Sequence, residues 1–202
     1  MADRLFLNLW FPSFSEAEMC PRLLAVLRQF PFSKQRPGIT YLAVHPVGWS
    51  ESTVLEQRFE PGVEPDAAIA VAAEILHDDY AYVFEASWDL WMPKEQADET
   101  EEEEFVPAPL LVKFIAHGLE FEDHFYQQAG HVQVDFGVDA PFLYEDQIMT
   151  PALEARFRAN VQKLVMFTNI VEKNSGISGR VLWSESDENL AQKLIERLQR
   201  IQ

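Results

Sequence analysis

Three histidines, His117, His124 and His131, stand seven residues apart, with Glu120, Glu122 and Asp123 between them. Imidazole and carboxylate are ligands that zinc and other divalent transition metals accept, and a metal held there would serve a hydrolase. A seven-residue step through a strand, a loop and a second strand does not by itself bring three side chains to one point. The plainer reading is a hydrophilic hairpin connection with surface histidines.

A second group follows from alternation. Glu85, Ser87 and Asp89 share one side of an expected strand, Lys113 and His117 one side of another, and His131, Gln133 and Asp135 one side of a third. The opposite sides are apolar: Phe84 and Trp88; Val112, Phe114 and Ala116; Val132, Val134 and Phe136. If the three strands are neighbours in register, Glu85, Ser87, Asp89, Lys113, His117, Gln133 and Asp135 form one surface. It would be able to grip a polar ligand or exchange protons with it. A one-sided antiparallel sheet also needs a wet face, and these residues fit that role equally.

Tryptophan is enriched at recognition surfaces. Trp10 and Trp88 sit in strong strand patterns and are expected in the core, Trp49 and Trp91 at loop or strand ends. Cys20, the single cysteine, excludes an internal disulfide and has no evident histidine partner, so it is expected to be a small buried hydrophobe. Phosphate-binding glycine loops, the nucleophile elbow and the His-Glu-x-x-His zinc helix are all missing.

The elements that must position these residues can be followed along the chain. Residues 5–11 are apolar on both sides, as in a central strand. Ser15 and Glu18 have capping-box spacing, while Pro21 suggests that regular helix begins only near it. Strands at 39–45 and 53–60, an alanine-rich helix from Pro65 to about Leu76 and a long strand at 80–91 complete a β-α-β-β-α-β order, that of a ferredoxin-like split unit. Residues 93–109, with Pro93, Pro107 and Pro109 around seven acids, are expected to form an exposed acidic loop. Strands at 110–118 and 131–138 follow, then a helix opened by Thr150 and Pro151, whose second half should be buried on most sides. A short strand at 180–184 and a last helix capped by Asp187 end the chain. The expected fold is α+β: one domain over 1–202, with a mixed, largely antiparallel sheet and helices mainly on one face.

Nearly half of the 202 residues are apolar, ample for a core, and no apolar run reaches the ~20 residues of a membrane span. No secretory pattern opens the chain and cysteine is scarce, so a cytoplasmic location is the expectation. The net charge of −17 is uneven: residues 1–149 hold 27 acids and 8 bases, residues 150–202 hold 6 and 8. Such a field repels phosphate backbones and argues against nucleic acid. Charge and missing motifs together favour a non-enzymatic binding or interaction protein with an acidic surface and a basic or polar protein partner. The enzymatic alternative is a metal-assisted hydrolase using His117, His124 and His131. The structural one is a homo-oligomer subunit that pairs through the helix at 150–173. No cofactor is evident, and a divalent metal is the one the residue types would admit.

Overall fold

Leu5, Leu7 and Leu9 alternate into the core from strand β1 (Arg4–Trp10), while Phe6 faces the other way and stacks on Trp183 with 4.8 Å between ring centroids. This is the two-sided burial that the alternation at 5–11 requires. The computed structural model describes residues 3–94, 105–143 and 150–185. Helix α1 (Glu16–Leu27) follows, then β2 (Ile39–Pro46), β3 (Leu55–Arg58), α2 (Pro65–Ala73), β4 (Tyr80–Pro93), β5 (Phe105–His117), α3 (Tyr126–Ala129), β6 (Val132–Val138), α4 (Ala140–Leu143), α5 (Pro151–Asn174) and β7 (Gly179–Ser184).

The fold is α+β, built on a seven-stranded open sheet in the order β3-β2-β4-β5-β6-β1-β7, with every neighbouring pair antiparallel. The expected parallel component is therefore absent among the described residues. The chain order β-α-β-β-α-β is present through β4, but the strands do not assemble as a ferredoxin-like unit. β4 uses one edge for β2 and the other for the long pairing with β5, from Ala81↔His117 to Pro93↔Phe105. β1 is thereby displaced to a place between β6 and β7.

One apolar cluster joins the inner face of the sheet to α1, α2, α4 and α5. Phe30 is at its centre, 4.9 Å from Phe114, 5.5 Å from Phe167 and 5.7 Å from Trp88. The smaller cluster on the outer face, Ala43, Val83 and Ile115 with Tyr41 and Trp49 against it, includes no helical residue. No helix among the described residues is long and apolar enough to cross a membrane.

Several local expectations shift for identifiable reasons. α1 begins five residues before Pro21, because the Ser15–Glu18 capping box satisfies its first turn: the Ser15 N–H donates to the Glu18 carboxylate at 3.1 Å. Hydrogen bonds from Ser13 and Ser15 hold that carboxyl well below its usual range, at about 2. The expected loop at 93–109 is narrower, since Pro93 and residues 105–109 lie in strands. Pro107 and Pro109 are tolerated because β6 pairs only with residues 113–116 of β5 and requires no donor from them. On α5 the Thr150 hydroxyl accepts from the Leu153 N–H at 3.3 Å, as its cap position demands. The second half of α5 is not buried on most sides: Val165, Met166 and Ile170 are exposed. The expected helix from Asp187 lies outside the described residues.

Candidate functional site

Cross-strand register lines up Arg58, Tyr41, Glu85, Lys113 and Asp135 on the outer face, across β3, β2, β4, β5 and β6. Phe6 and Trp183 continue the row on β1 and β7. The next row is Glu56, Ala43, Val83, Ile115, Gln133 and Asn8. The three strands whose polar sides had to be neighbours are neighbours, so Glu85, Lys113 and Asp135 meet in one line.

Their partners divide the row. Lys113 Nζ lies 3.3 Å from the Glu85 carboxylate, an ion pair at the surface. Asp135 is turned toward β1, where it pairs with the Arg4 guanidinium and accepts the Gly137 N–H at 2.9 Å. Gln133 is buried and donates to the Asn8 side-chain oxygen at 3.0 Å, and the Asn8 amide donates to the Gln128 carbonyl at 3.1 Å. Ser87 and Asp89 serve the α1–β2 loop: the Ser87 carbonyl accepts the Ser33 N–H at 2.7 Å, and Asp89 accepts the Ser33 hydroxyl at 2.5 Å and the Lys34 N–H at 3.0 Å. Of the seven expected surface residues, Glu85 and Lys113 border an open recess.

That recess is a shallow depression of about 370 Å³ over β3, β2, β4 and β5. Ala43 and Val83 form its floor; Glu56 and Arg58 stand on one wall, Glu85 and Lys113 on the other, with Tyr41, His45 and Thr53 between them. Arg58 lies over the Tyr41 ring at 5.7 Å, and the Thr53 hydroxyl donates to Glu56 at 2.8 Å. Partial burial, then Glu56, raises the Tyr41 hydroxyl above its ordinary pKa. Burial lowers His45, with Glu56 opposing and Lys113 assisting. The depression thus combines a small apolar floor with charges of both signs.

His45 connects the depression to a corner formed by three loops. Trp49 lies 5.0 Å from His45, 6.0 Å from His117 and 5.0 Å from Phe121, measured between ring centroids, each ring steeply inclined to the indole. The Val47 N–H donates to the Asp79 carbonyl at 2.7 Å, the Glu122 N–H to the Val47 carbonyl at 2.8 Å, and the Glu120 N–H to the Asp78 carbonyl at 2.9 Å. The backbone here is strained. Val47 has φ of 60° inside a tight turn closed by the Gly48 N–H to the Pro46 carbonyl at 2.5 Å. Glu122, Asp123 and His124 form a left-handed turn, with φ of 44°, 52° and 66°. Each such residue costs about 1–2 kcal/mol, and strain of this kind collects at ligand clamps and switch regions.

The three expected metal ligands do not gather. His117 is fully buried and its Nδ1 is 3.0 Å from the Gly130 carbonyl. His131 is stacked between Phe14 and Tyr126, at 4.7 and 4.9 Å between centroids, and its Nδ1 accepts the Phe11 N–H at 3.0 Å. His124 is on the left-handed turn, with Nδ1 2.6 Å from the Leu119 carbonyl. Among the described residues no group of three or more His, Cys, Asp or Glu side chains is arranged to hold a metal ion. Cys20 is buried, which raises its thiol pKa, and Trp88 is wholly in the core; Trp10, Trp49 and Trp91 are half-buried.

Sequence reasoning did not single out Tyr41, His45, Glu56 and Arg58 as site residues. The signal was available in the alternation of Tyr41, Ala43 and His45 against Leu42 and Val44, but those residues gain meaning only when β2 is placed beside β4. No family model, curated protein or solved structure matches the chain.

Proposed function

We propose that the protein is a binding module that receives a polar ligand, or a polar segment of a protein partner, on the outer face of its sheet. The observation that carries this is the depression between the Glu56/Arg58 and Glu85/Lys113 walls, on the side of the sheet whose apolar cluster contains no helical residue. Arg4, Arg58 and Lys113 balance Glu56, Glu85 and Asp135 along the face, which favours a partner with both signs of charge over a purely basic one.

The test is thermal unfolding in the presence of polar small molecules and short charged peptides. A ligand at a hundred times its Kd stabilises by about 2.7 kcal/mol, which for a chain of this size raises Tm by roughly 5–11 °C. The rise should be lost in Lys113→Ala and Arg58→Ala and kept in Arg4→Ala, which lies beyond the depression. Ligands that stabilise all four proteins equally would show that binding occurs elsewhere.

A further inference from the structure

On the helical side of the sheet, opposite the depression, a groove of about 310 Å³ runs between α5 and the end of α1. Ala159, Lys163, Met166 and Ile170 line it at helical spacing along one side of α5, with Phe167 beside them and Pro31 facing them. Met166 is 70% exposed and Ile170 42%, while Phe167 is buried, 5.5 Å from Phe30 between ring centroids. Among the described residues Lys163 is the one charged side chain that lines the groove. Apolar walls with a single charged group are the ordinary lining of a small-molecule site, and the volume is at the lower end of that class.

The lysine does not extend into water as surface lysines do. Its ammonium is folded onto the sheet, where Nζ donates to the Asp89 carbonyl at 2.7 Å and lies 5.7 Å from the centre of the Trp88 ring. That uses one of three N–H donors, and the other two have no protein acceptor among the described residues. The Asp89 carboxylate is committed to the Ser33 hydroxyl at 2.5 Å and the Lys34 N–H at 3.0 Å. Burial lowers the Lys163 pKa, with Asp89 opposing and Lys34 assisting, so the charge is held at a cost that an added anion relieves. Residues 150–202, with 6 acids against 8 bases in a chain of net charge −17, are also the part that an anion approaches with least repulsion. We propose that the groove binds a carboxylate on an unbranched apolar chain, as in a medium-chain fatty acid. The carboxylate accepts from the unused N–H donors of Lys163, and the chain lies along Met166 and Ile170 over Phe167. Lys163 to Ile170 spans about 10 Å of helix, which limits the chain length the groove covers. No residue lines both this groove and the depression on the outer face, so the two sites stand or fall separately.

Titration of the intact protein with octanoate, followed by NMR, tests this. The Met166 methyl signal, identified by its loss in Met166→Leu, should shift saturably. Affinity should rise about fourfold for each methylene added from butyrate to octanoate. Lys163→Met keeps the apolar stem and removes the charge, so it should weaken octanoate about tenfold or more and leave octan-1-ol unchanged. If Lys163→Met does not fold, the wild-type protein decides: octanoate must bind at least tenfold more tightly than octylammonium at equal ionic strength. Equal binding of octanoate and octylammonium, full octanoate affinity in Lys163→Met, or no dependence on chain length overturns the proposal. The backbone amides of Tyr41 and Lys113 should stay in place throughout. Octanoate that moves them and leaves Met166 still binds the outer face, and the groove site fails.

Discussion

His117 provides a stability measurement whose size follows from its surroundings. The ring is fully buried among Trp49, Phe121 and Phe125, and burial lowers its pKa from 6.5 to about 4 against the opposing hydrogen bond to Gly130. Folded, the imidazole stays neutral until the pH approaches 4; unfolded, it takes up a proton below about 6.5. Protons therefore favour the unfolded chain as pH falls through this window. The contribution is fully present above pH 6.5, is lost progressively toward pH 4 and changes no further below it. At about 1.4 kcal/mol for each tenfold change in proton affinity, the loss is about 3 kcal/mol.

The assay is urea unfolding at a series of pH values from 8 to 4, for the wild-type protein and for His117→Phe. Phenylalanine fits an aromatic setting, cannot titrate and leaves the Gly130 carbonyl without its ring donor, a penalty that does not vary with pH. His45 is present in both proteins and cancels in the difference, while the charge of His131 acts on His117 and is part of the shift being measured. The wild-type advantage should therefore shrink by about 3 kcal/mol between pH 7 and pH 4. Parallel pH profiles for the two proteins would refute the burial of a neutral His117.

Two further substitutions test how the ends of β4 are held. Asn160 on α5 accepts the Trp91 N–H at 2.8 Å and donates to the Trp91 and Pro141 carbonyls, each at 2.9 Å. Asn160→Ala orphans all three and should cost about 3 kcal/mol in urea unfolding, whereas a loss near zero would mean that water replaces them. At the other end, a Cβ on Gly118 would stand 2.1 Å from the Asp78 carbonyl oxygen and 2.8 Å from that of Tyr80. Gly118→Ala should therefore destabilise by about 3 kcal/mol or more, and a variant as stable as the wild type would show that the 77–79 loop does not pack there.

What could be foreseen from the sequence was local. The alternation at 5–9, the capping box at 15–18 and the Thr150-Pro151 helix start each depend on contacts within a few residues, and each appears where the pattern places it. The line of Glu85, Lys113 and Asp135 was visible as a condition, because alternation assigns a face without saying which strands are adjacent. The corner at Trp49 was visible only in its parts: His117, Glu120, Glu122 and Trp49 each drew notice, but nothing in the local pattern joins them. Its loops are distant in sequence, and its left-handed turn uses Glu122, Asp123 and His124, none of which announces a positive φ as glycine would. The uses of Ser87 and Asp89 were hidden for the same reason: their partners are 54 or more residues away, in the turn at Ser33.

The two halves of the outer face differ in what a ligand would have to displace. On the β6–β1 side, Gln133 and Asn8 are buried and bonded to each other, and the Asp135 carboxylate, itself buried, is held by Arg4. Breaking that network leaves buried polar groups unpaired, at about 1–3 kcal/mol each. On the β2–β4–β5 side the pair between Lys113 and Glu85 is partly exposed, and pairs of that kind contribute only about 0–1 kcal/mol, so exchanging them for a ligand's charges costs little. The same side adjoins the corner where His117 lacks a donor and the turns at Val47 and Glu122–His124 are strained. The β6–β1 half is thus built to stay closed on itself, while exchangeable charges, an unfilled acceptor and strained loops collect over β2, β4 and β5. Binding is expected on that half of the sheet because there the ligand gains contacts without undoing the core's own polar bonds.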